Sequence, residues 1–256
     1  MASMARYSCA AKTDVGMKRE HNEDSYLINE DLGLYVVCDG MGGAAGGEIA
    51  SRMAVDTIVE RMSADLSPNP GAELEGNGGR ERLHAAIAEA NRIVLERAER
   101  ESNLYGMGTT LVALLLENSH ALVAHAGDSR CYLLRGGKLE RVTQDHSLVD
   151  EQMRLGAMTA EEAERSPLRS VITRAIGTQP SITEDVAVIE PQPGDVFLLC
   201  SDGLTREVDD EDIARILNSE SDAGNDLDRA AQALVDAANE AGGRDNVTAL
   251  AVRIDG

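Results

Sequence analysis

The sequence predicts an α+β fold in which mainly antiparallel sheets are covered on their outer faces by helices. Three observations carry that reading. Apolar runs of strand length follow one another in series, pairs of helix-length segments with apolar stripes interrupt them, and neither an internal repeat nor an interdomain linker divides the 256 residues. A chain of this length buries a substantial core in one domain. Strands in consecutive runs with helices between the runs favour antiparallel sheets with the helices outside.

Taken in order, residues 6–12, 25–29 and 34–39 read as strands. A helix runs from Gly47 to about Met62, with Ala50, Met53, Ala54, Thr57 and Ile58 on one face. Ser63 to Gly79 holds two prolines and several glycines and reads as a loop. A second helix covers Arg80 to about Glu101, with Leu83, Ile87, Ala90 and Val94 at helical spacing. Strands at 109–116, 120–126 and 129–135 follow, and Gly136-Gly137 turns the last of them back into Lys138 to Val142. Residues 145–180 break the pattern: they are polar, include short helices, and carry a capping box in which Thr159 precedes Glu162 by three. They read as an inserted subdomain. Strands at 184–189 and 195–201 come next, then two helices. The longer helix carries the stripe Leu227, Ala230, Leu234, Val235 and Ala238, and the last strand is 247–254.

Composition excludes several classes of function. With 24 basic and 45 acidic residues the formal charge is −21, so there is no electrostatic footprint for nucleic acid or anionic lipid. The chain has no Trp and a single Phe, Phe197, which leaves no base-stacking surface. Cys9, Cys38, Cys131 and Cys200 are widely spaced, form no C-x-x-C pair and lie in strand-like stretches. They read as reduced, small apolar core residues, which fits a cytoplasmic protein. The N-terminus lacks an apolar signal core, and the longest aliphatic run, Leu111 to Leu116, is too short to span a bilayer. The expectation is a cytoplasmic monomer without a membrane segment.

Three apolar runs end in an aspartate beside a glycine. Tyr35 to Cys38 leads into Asp39-Gly40, Leu122 to Ala126 into Gly127-Asp128, and Val196 to Ser201 into Asp202-Gly203. A fourth acidic turn, Arg244-Asp245-Asn246, precedes the last strand. Asp-Gly alone is a common hairpin turn, and each dipeptide taken singly reads that way. Together, buried strands ending in carboxylates predict an acidic cluster at one end of a sheet. Two carboxylates about 4 Å apart repel by roughly 4 kcal/mol at an effective dielectric near 20, so several together call for divalent cations. Arg19, Glu23 and Asp24 stand close to one another in Gly16 to Ser25. The planar fork of Arg19 suits bidentate capture of a phosphate; its alternative is a surface ion pair with a nearby acid. Adjacent strand side chains point to opposite faces, so Glu23 and Asp24 are not expected to touch the same ion directly.

Six segments occur in a telling order: Arg19-x-x-Asn22-Glu23-Asp24, Val37-Cys38-Asp39-Gly40-Met41-Gly42-Gly43, Gly106-Met107-Gly108-Thr109-Thr110, Gly127-Asp128-Ser129-Arg130, Ser201-Asp202-Gly203-Leu204 and Arg244-Asp245-Asn246-Val247-Thr248. The chain resembles, over residues 6–254, the metal-dependent Ser/Thr protein phosphatases of type 2C (the PPM family) in their compact bacterial form. The resemblance implies a four-layer α-β-β-α sandwich, two antiparallel sheets flanked by helices, with a two-metal site in a cleft at one edge. It implies that Asp39 bridges both ions, that the Gly40 carbonyl serves one of them, and that Asp202 and Asp245 complete the other. Glu23 would bind directly or through water, with Asp24 behind it, while Asp128 and Asp202 would hold a third, weaker ion. Arg19 would bind the substrate phosphate, and 145–180 would be a mobile flap beside the cleft. Substrates would be phosphoserine and phosphothreonine proteins of a bacterium, among them a Ser/Thr kinase.

The chemistry of these residues agrees. An all-oxygen donor set without His or Cys at ligand spacing selects Mg²⁺ or Mn²⁺ over Zn²⁺. Two such ions lower the pKa of a bridging water, giving hydroxide for in-line attack on phosphorus without a phosphoenzyme. Arg19, Asp39, Asp202 and Asp245 are therefore the expected catalytic set, and Ser129, Ser201 and the cysteines are structural. One position departs from many eukaryotic relatives: Met41 stands where they have a histidine proposed as the general acid. His21 and His146 are the nearest replacements by motif, although a lone polar histidine is more often simply exposed. The glycine-rich stretch Gly40 to Gly47 lacks the Gly-Lys-Ser/Thr ending of a nucleotide loop; it reads as tight backbone passage into a helix at Glu48.

Overall fold

Alternation along the central strands explains why two sheets stack. The structure, a computed structural model, describes residues 7–43, 46–64, 78–117, 119–222 and 226–256. In β3 (Leu34–Met41), Leu34, Val36 and Cys38 face one way while Tyr35 and Val37 face the other, and all five are fully buried. A strand buried on both faces needs a layer on each side.

The elements run β1 (Tyr7–Asp14), β2 (Asp24–Asn29), β3, α1 (Gly46–Ala64), α2 (Gly78–Arg100), β4 (Gly108–Thr109), β5 (Leu111–Glu117), β6 (His120–Ala126), β7 (Arg130–Arg135) and β8 (Lys138–Arg141). Then come α3 (Leu148–Arg154), α4 (Ala160–Glu164), β9 (Asp185–Ile189), β10 (Val196–Cys200), α5 (Asp202–Thr205), α6 (Asp210–Asp222), α7 (Leu227–Ala241) and β11 (Val247–Ile254). One sheet has the order β1-β11-β10-β7-β8; the other has β2-β3-β5-β6-β9, with β4 beside β3. Every pairing between these strands is antiparallel.

Three apolar layers hold the stack. Phe197, Leu199, Leu250 and Val252 of the first sheet meet Tyr35, Val37, Val112 and Leu114 of the second between the sheets. Ile58, Leu83, Ile87 and Val94 of α1 and α2 cover the second sheet. Leu217, Leu234 and Val235 of α6 and α7 cover the first. The architecture is the predicted four-layer α-β-β-α sandwich. No helix among the described residues is long and apolar enough to cross a membrane.

Several boundaries differ from the expectation. β1 extends to Asp14 because its whole length pairs with β11. The strand expected at 109–116 is two pieces, because Thr110 is tied to the end of β3: its N–H donates to Asp39 O at 2.8 Å, and its Oγ1 accepts from Asp39 N at 2.9 Å. Among the described residues three helices rather than two follow β10, since Asp202 opens the single turn of α5 directly after the strand. The loop expected at 63–79 lies outside the described residues from 65 to 77, and its two ends belong to α1 and α2. Between β8 and β9 the chain forms α3 and α4, the latter with the predicted reciprocal Thr159–Glu162 capping box.

Candidate metal centre

All four acidic turns meet at one end of the sandwich, and none of them is a hairpin. Asp39-Gly40 lies inside β3, Asp202 opens α5, and Gly127-Asp128 carries the chain from β6 in one sheet to β7 in the other. Their glycines serve close approach. A Cβ on Gly40 would stand 2.1 Å from the Gly47 carbonyl oxygen, and one on Gly203 would stand 2.0 Å from the Asn246 carbonyl oxygen. These contacts fold the backbone of each turn against a neighbouring turn and so crowd the carboxylates together. The first of them is the tight passage expected before α1.

Asp24 faces Asp39 across the β2–β3 pair. Its Oδ2 accepts from Ser201 Oγ at 2.7 Å and Thr248 Oγ1 at 2.6 Å, both from the opposite sheet. Glu23, one residue earlier, has its N–H held by Asn246 Oδ1 at 2.8 Å, and its side chain lies against Gly47. Asp39 has its backbone fixed by Thr109 and Thr110. Asp128 and Asp202 are nearly fully buried, with relative exposures of 6% each. Asp245 sits at the rim, its side chain 22% exposed.

The electrostatics record the crowding. Loss of solvation pushes the Asp39 carboxyl well above the usual range, and Asp24, Asp202, Asp128 and Asp245 push it further. Burial raises Asp202 strongly, Asp128 adds to this, and Arg206 opposes it. Burial raises Asp128 against the pull of Arg206. Asp24 is raised to about 6 by burial, against its hydrogen bonds from Thr248 and Ser201. Buried carboxylates without enough partners are costly, and here Oδ1 of Asp24, Asp128 and Asp202 are all buried without a hydrogen-bond partner. Oxygen atoms left bare in this way, on acids at or just beyond strand ends of both sheets, suit a hard divalent cation.

A profile of the family described as Protein phosphatase 2C matches residues 17–242. The chain belongs to the protein phosphatase 2C family. It is 38% identical over 247 residues to the serine/threonine phosphatase stp of Listeria monocytogenes, covering 95% of this chain and 94% of that protein. It is 37% identical over 241 residues to the serine/threonine protein phosphatase PstP of Mycobacterium tuberculosis, of whose length the match spans 44%. Among solved structures, the catalytic domain of PstP in complex with two manganese ions superposes with a TM-score of 0.82 at 34% identity, covering 97% of this chain and 98% of that one. The chain is thus a phosphoprotein phosphatase, a hydrolase of the serine/threonine class.

In this phosphatase two arginines among the described residues pair with acids of the cluster. Arg19 Nη2 donates to Asp245 Oδ2 at 2.8 Å, with its side chain 48% exposed; this is the ion-pair alternative for Arg19, made with an acid of the cluster itself. Arg206, which sequence reasoning missed, contacts Asp202, Asp128 and Asp245. The signal was present: Arg206 follows Asp202 by four residues, the spacing of neighbours on a helix. Asn246 was likewise given no role, yet its Nδ2 donates to Val15 O and His21 O at 2.9 Å each while its Oδ1 holds Glu23 N. It pins the loop that carries Arg19. Ser129 and Ser201 are structural, their hydroxyls bonded to Thr110 and Asp24. The four cysteines are unpaired thiols, and Cys38, Cys131 and Cys200 are buried.

His21 is exposed, but the expectation that a lone polar histidine is exposed fails for His146, which is 2% exposed. Its Nδ1 accepts the Gly127 N–H at 3.2 Å, so Nε2 carries the proton and points to Asp185 Oδ2 at 3.2 Å. Its ring stacks on that of His125, whose Nε2 donates to Gln144 O at 2.7 Å. The ligand atoms of His125, His146 and Asp185 lie within 4.8 Å of one another. Even so, the proton on His146 Nε2 and the Arg174 guanidinium, 2.9 Å from Asp185 Oδ1, take the space a cation would need. These groups form a latch between the Gly127 turn and the segment after α4.

Proposed function

We propose that the chain is a Mn²⁺- or Mg²⁺-dependent phosphatase of phosphoserine and phosphothreonine proteins, working by direct attack of water on phosphorus. The observation that carries this reading is the set of buried, unpartnered carboxylate oxygens of Asp24, Asp128 and Asp202 beside Asp39 and Asp245. Asp39, with the Gly40 carbonyl, Asp202, Asp245 and Glu23 would hold two cations, and Asp128 with Asp202 a weaker third. Asp24 would stand behind them, its Oδ2 already taken by Ser201 and Thr248. When bound, such ions supply Lewis-acid activation of a water and stabilise charge on the phosphoryl oxygens.

The protein's own groups do the rest. Arg19 stands half-exposed at the rim on Asp245 and is free to turn its outer nitrogens to a phosphate. A cavity of about 630 Å³ is lined by Asp128 and Asp202 and by Arg165 and Arg169 of the 145–180 segment. This segment is the proposed flap, and residues 6–254 the proposed catalytic domain. No side chain is assigned as nucleophile, and none as general acid: Met41 has no proton to give, and both ring nitrogens of His146 are engaged. The proposed setting is a cytoplasmic monomer acting on the targets of a bacterial Ser/Thr kinase, the kinase among them.

The test is phosphate release from a phosphothreonine peptide before and after chelation, with Mn²⁺ or Mg²⁺ added back. Activity is expected to vanish on chelation and return with the metal. Undiminished turnover in metal-free buffer would defeat the mechanism. Turnover of small phosphate esters but not phosphopeptides would favour a small-molecule phosphoesterase, and none on either would favour an interaction module that keeps only the fold.

A further inference from the structure

Arg206 reaches across the acidic cluster from the end of α5. One turn after Asp202, its Nη2 contacts Asp202 Oδ2 and lies 3.3 Å from Asp128 Oδ2, while Nη1 lies 3.8 Å from Asp245 Oδ2. A single side chain thus joins three carboxylates from three separate stretches of chain. Each contact uses an Oδ2 oxygen. The Oδ1 oxygens of Asp128 and Asp202 remain buried without a partner. The guanidinium is always protonated, and its side chain is only 33% exposed. Its other basic neighbour at the cluster, Arg19, contacts Asp245.

We propose that Arg206 is a resident counter-ion: it lets the acidic cluster fold without metal, and it keeps the outer cation site of Asp128 and Asp202 weak. The proposal rests on the outer-ion reading given above. Two physical effects follow from the same contacts. With no cation bound, the guanidinium offsets repulsion among carboxylates that are buried together. With a cation bound, that positive charge opposes the ion and holds one oxygen of each of its two aspartates. Removing Arg206 therefore has opposite signs in the two states. A guanidinium that merely packed would change only stability, and one that aligned the carboxylates for the ion would weaken metal binding when lost.

The experiment is Mn²⁺ titration followed by the EPR signal of the free ion, with thermal melts in chelator and in Mn²⁺. The proteins are wild type, Arg206→Gln, Arg206→Lys and Asp128→Asn, and no readout depends on turnover. Arg206→Gln is expected to melt at lower temperature than wild type in chelator. It should bind the weakest Mn²⁺ at least about tenfold more tightly, the change that about 1.4 kcal/mol of relieved repulsion gives. Arg206→Lys keeps the charge but not the fork, and is expected between the two on both readouts. It also serves the titration if the glutamine variant does not fold. Unchanged or weaker Mn²⁺ affinity in Arg206→Gln, or weaker affinity in Arg206→Lys, overturns the proposal. Asp128→Asn separates the two levels of the argument. If it loses the weakest Mn²⁺ while Arg206→Gln gains nothing, Arg206 alone has been misread. If it binds as many ions as wild type, the outer site is absent and both readings fall.

Discussion

Asp39 and Asp202 differ from the other acids of the cluster in how far burial and neighbouring carboxylates together raise them. Asp39→Asn and Asp202→Asn are each expected to reduce phosphopeptide turnover to near background, because each removes charge from a proposed shared ligand; steady-state assays at saturating Mn²⁺ check this. Arg19→Ala should leave Mn²⁺ binding intact while losing a charge-assisted contact of about 1.5–3 kcal/mol, a drop of roughly ten- to a hundredfold in kcat/KM. Unaltered kinetics would leave Arg19 as a rim ion pair with Asp245. Asp128→Asn should lose more turnover on phosphoserine than on an aryl phosphate, whose leaving group needs little protonation; paired kinetics on the two substrates decide it. At this scale the acids were legible because three apolar runs each ended in an aspartate and a fourth acidic turn stood just before the last strand. Arg206 and Asn246 were not, because their roles depend on turns that meet only after the sheets have stacked.

Among the elements, the strand ends are held by contacts that a sequence does not display. Thr110 interrupts an apolar run that reads as one strand, because Asp39 claims both its N–H and its hydroxyl. Gly203 reads as a turn residue, yet its role is to lie under the Asn246 carbonyl. Gly203→Ala should push α5 off the turn before β11 and destabilise the protein by about 1–3 kcal/mol, the usual range for overpacking, measurable as a lower urea midpoint. The His125–His146 latch gives a pH dependence. Burial lowers both imidazoles below the ordinary 6.5, and for His146 the bond to Asp185 opposes the shift. The unfolded chain takes up protons near pH 6.5 while the native latch resists them. Stability from these two groups is thus fully present above pH 6.5 and declines as pH falls below it toward their native values. The raised carboxyls of Asp24, Asp39 and Asp202 gain stability over the same pH range as they take up protons, so the latch is read as a difference. The gap in urea midpoint between wild type and His146→Gln should shift between pH 7.5 and 5.5, with wild type losing more on acidification.

Over the whole molecule, strand runs in series interrupted by helix pairs foretold antiparallel sheets with helices outside, and the resemblance to type 2C phosphatases implied the four layers. In the structure β3, β10 and β11 each present one apolar row to a helix pair and another to the facing sheet. What the pattern did not reveal is that the crowded end draws on both sheets at once: Asp24 and Asp39 belong to one, and Ser201, Thr248 and the turns flanking β10 and β11 to the other. A cation shared across that seam would act as a clasp on the open edge of a book whose spine is the dry interior. The two leaves would then separate most easily from the clasped edge. Stripping the metal should speed amide hydrogen exchange at Asp39, Thr110 and Thr248, while Leu115 of β5 and Val252 of β11, farther from the acidic end, keep their protection. Uniform loss of protection along the strands would mean that the leaves are joined everywhere alike, and that the site can empty and refill only when the whole sandwich loosens.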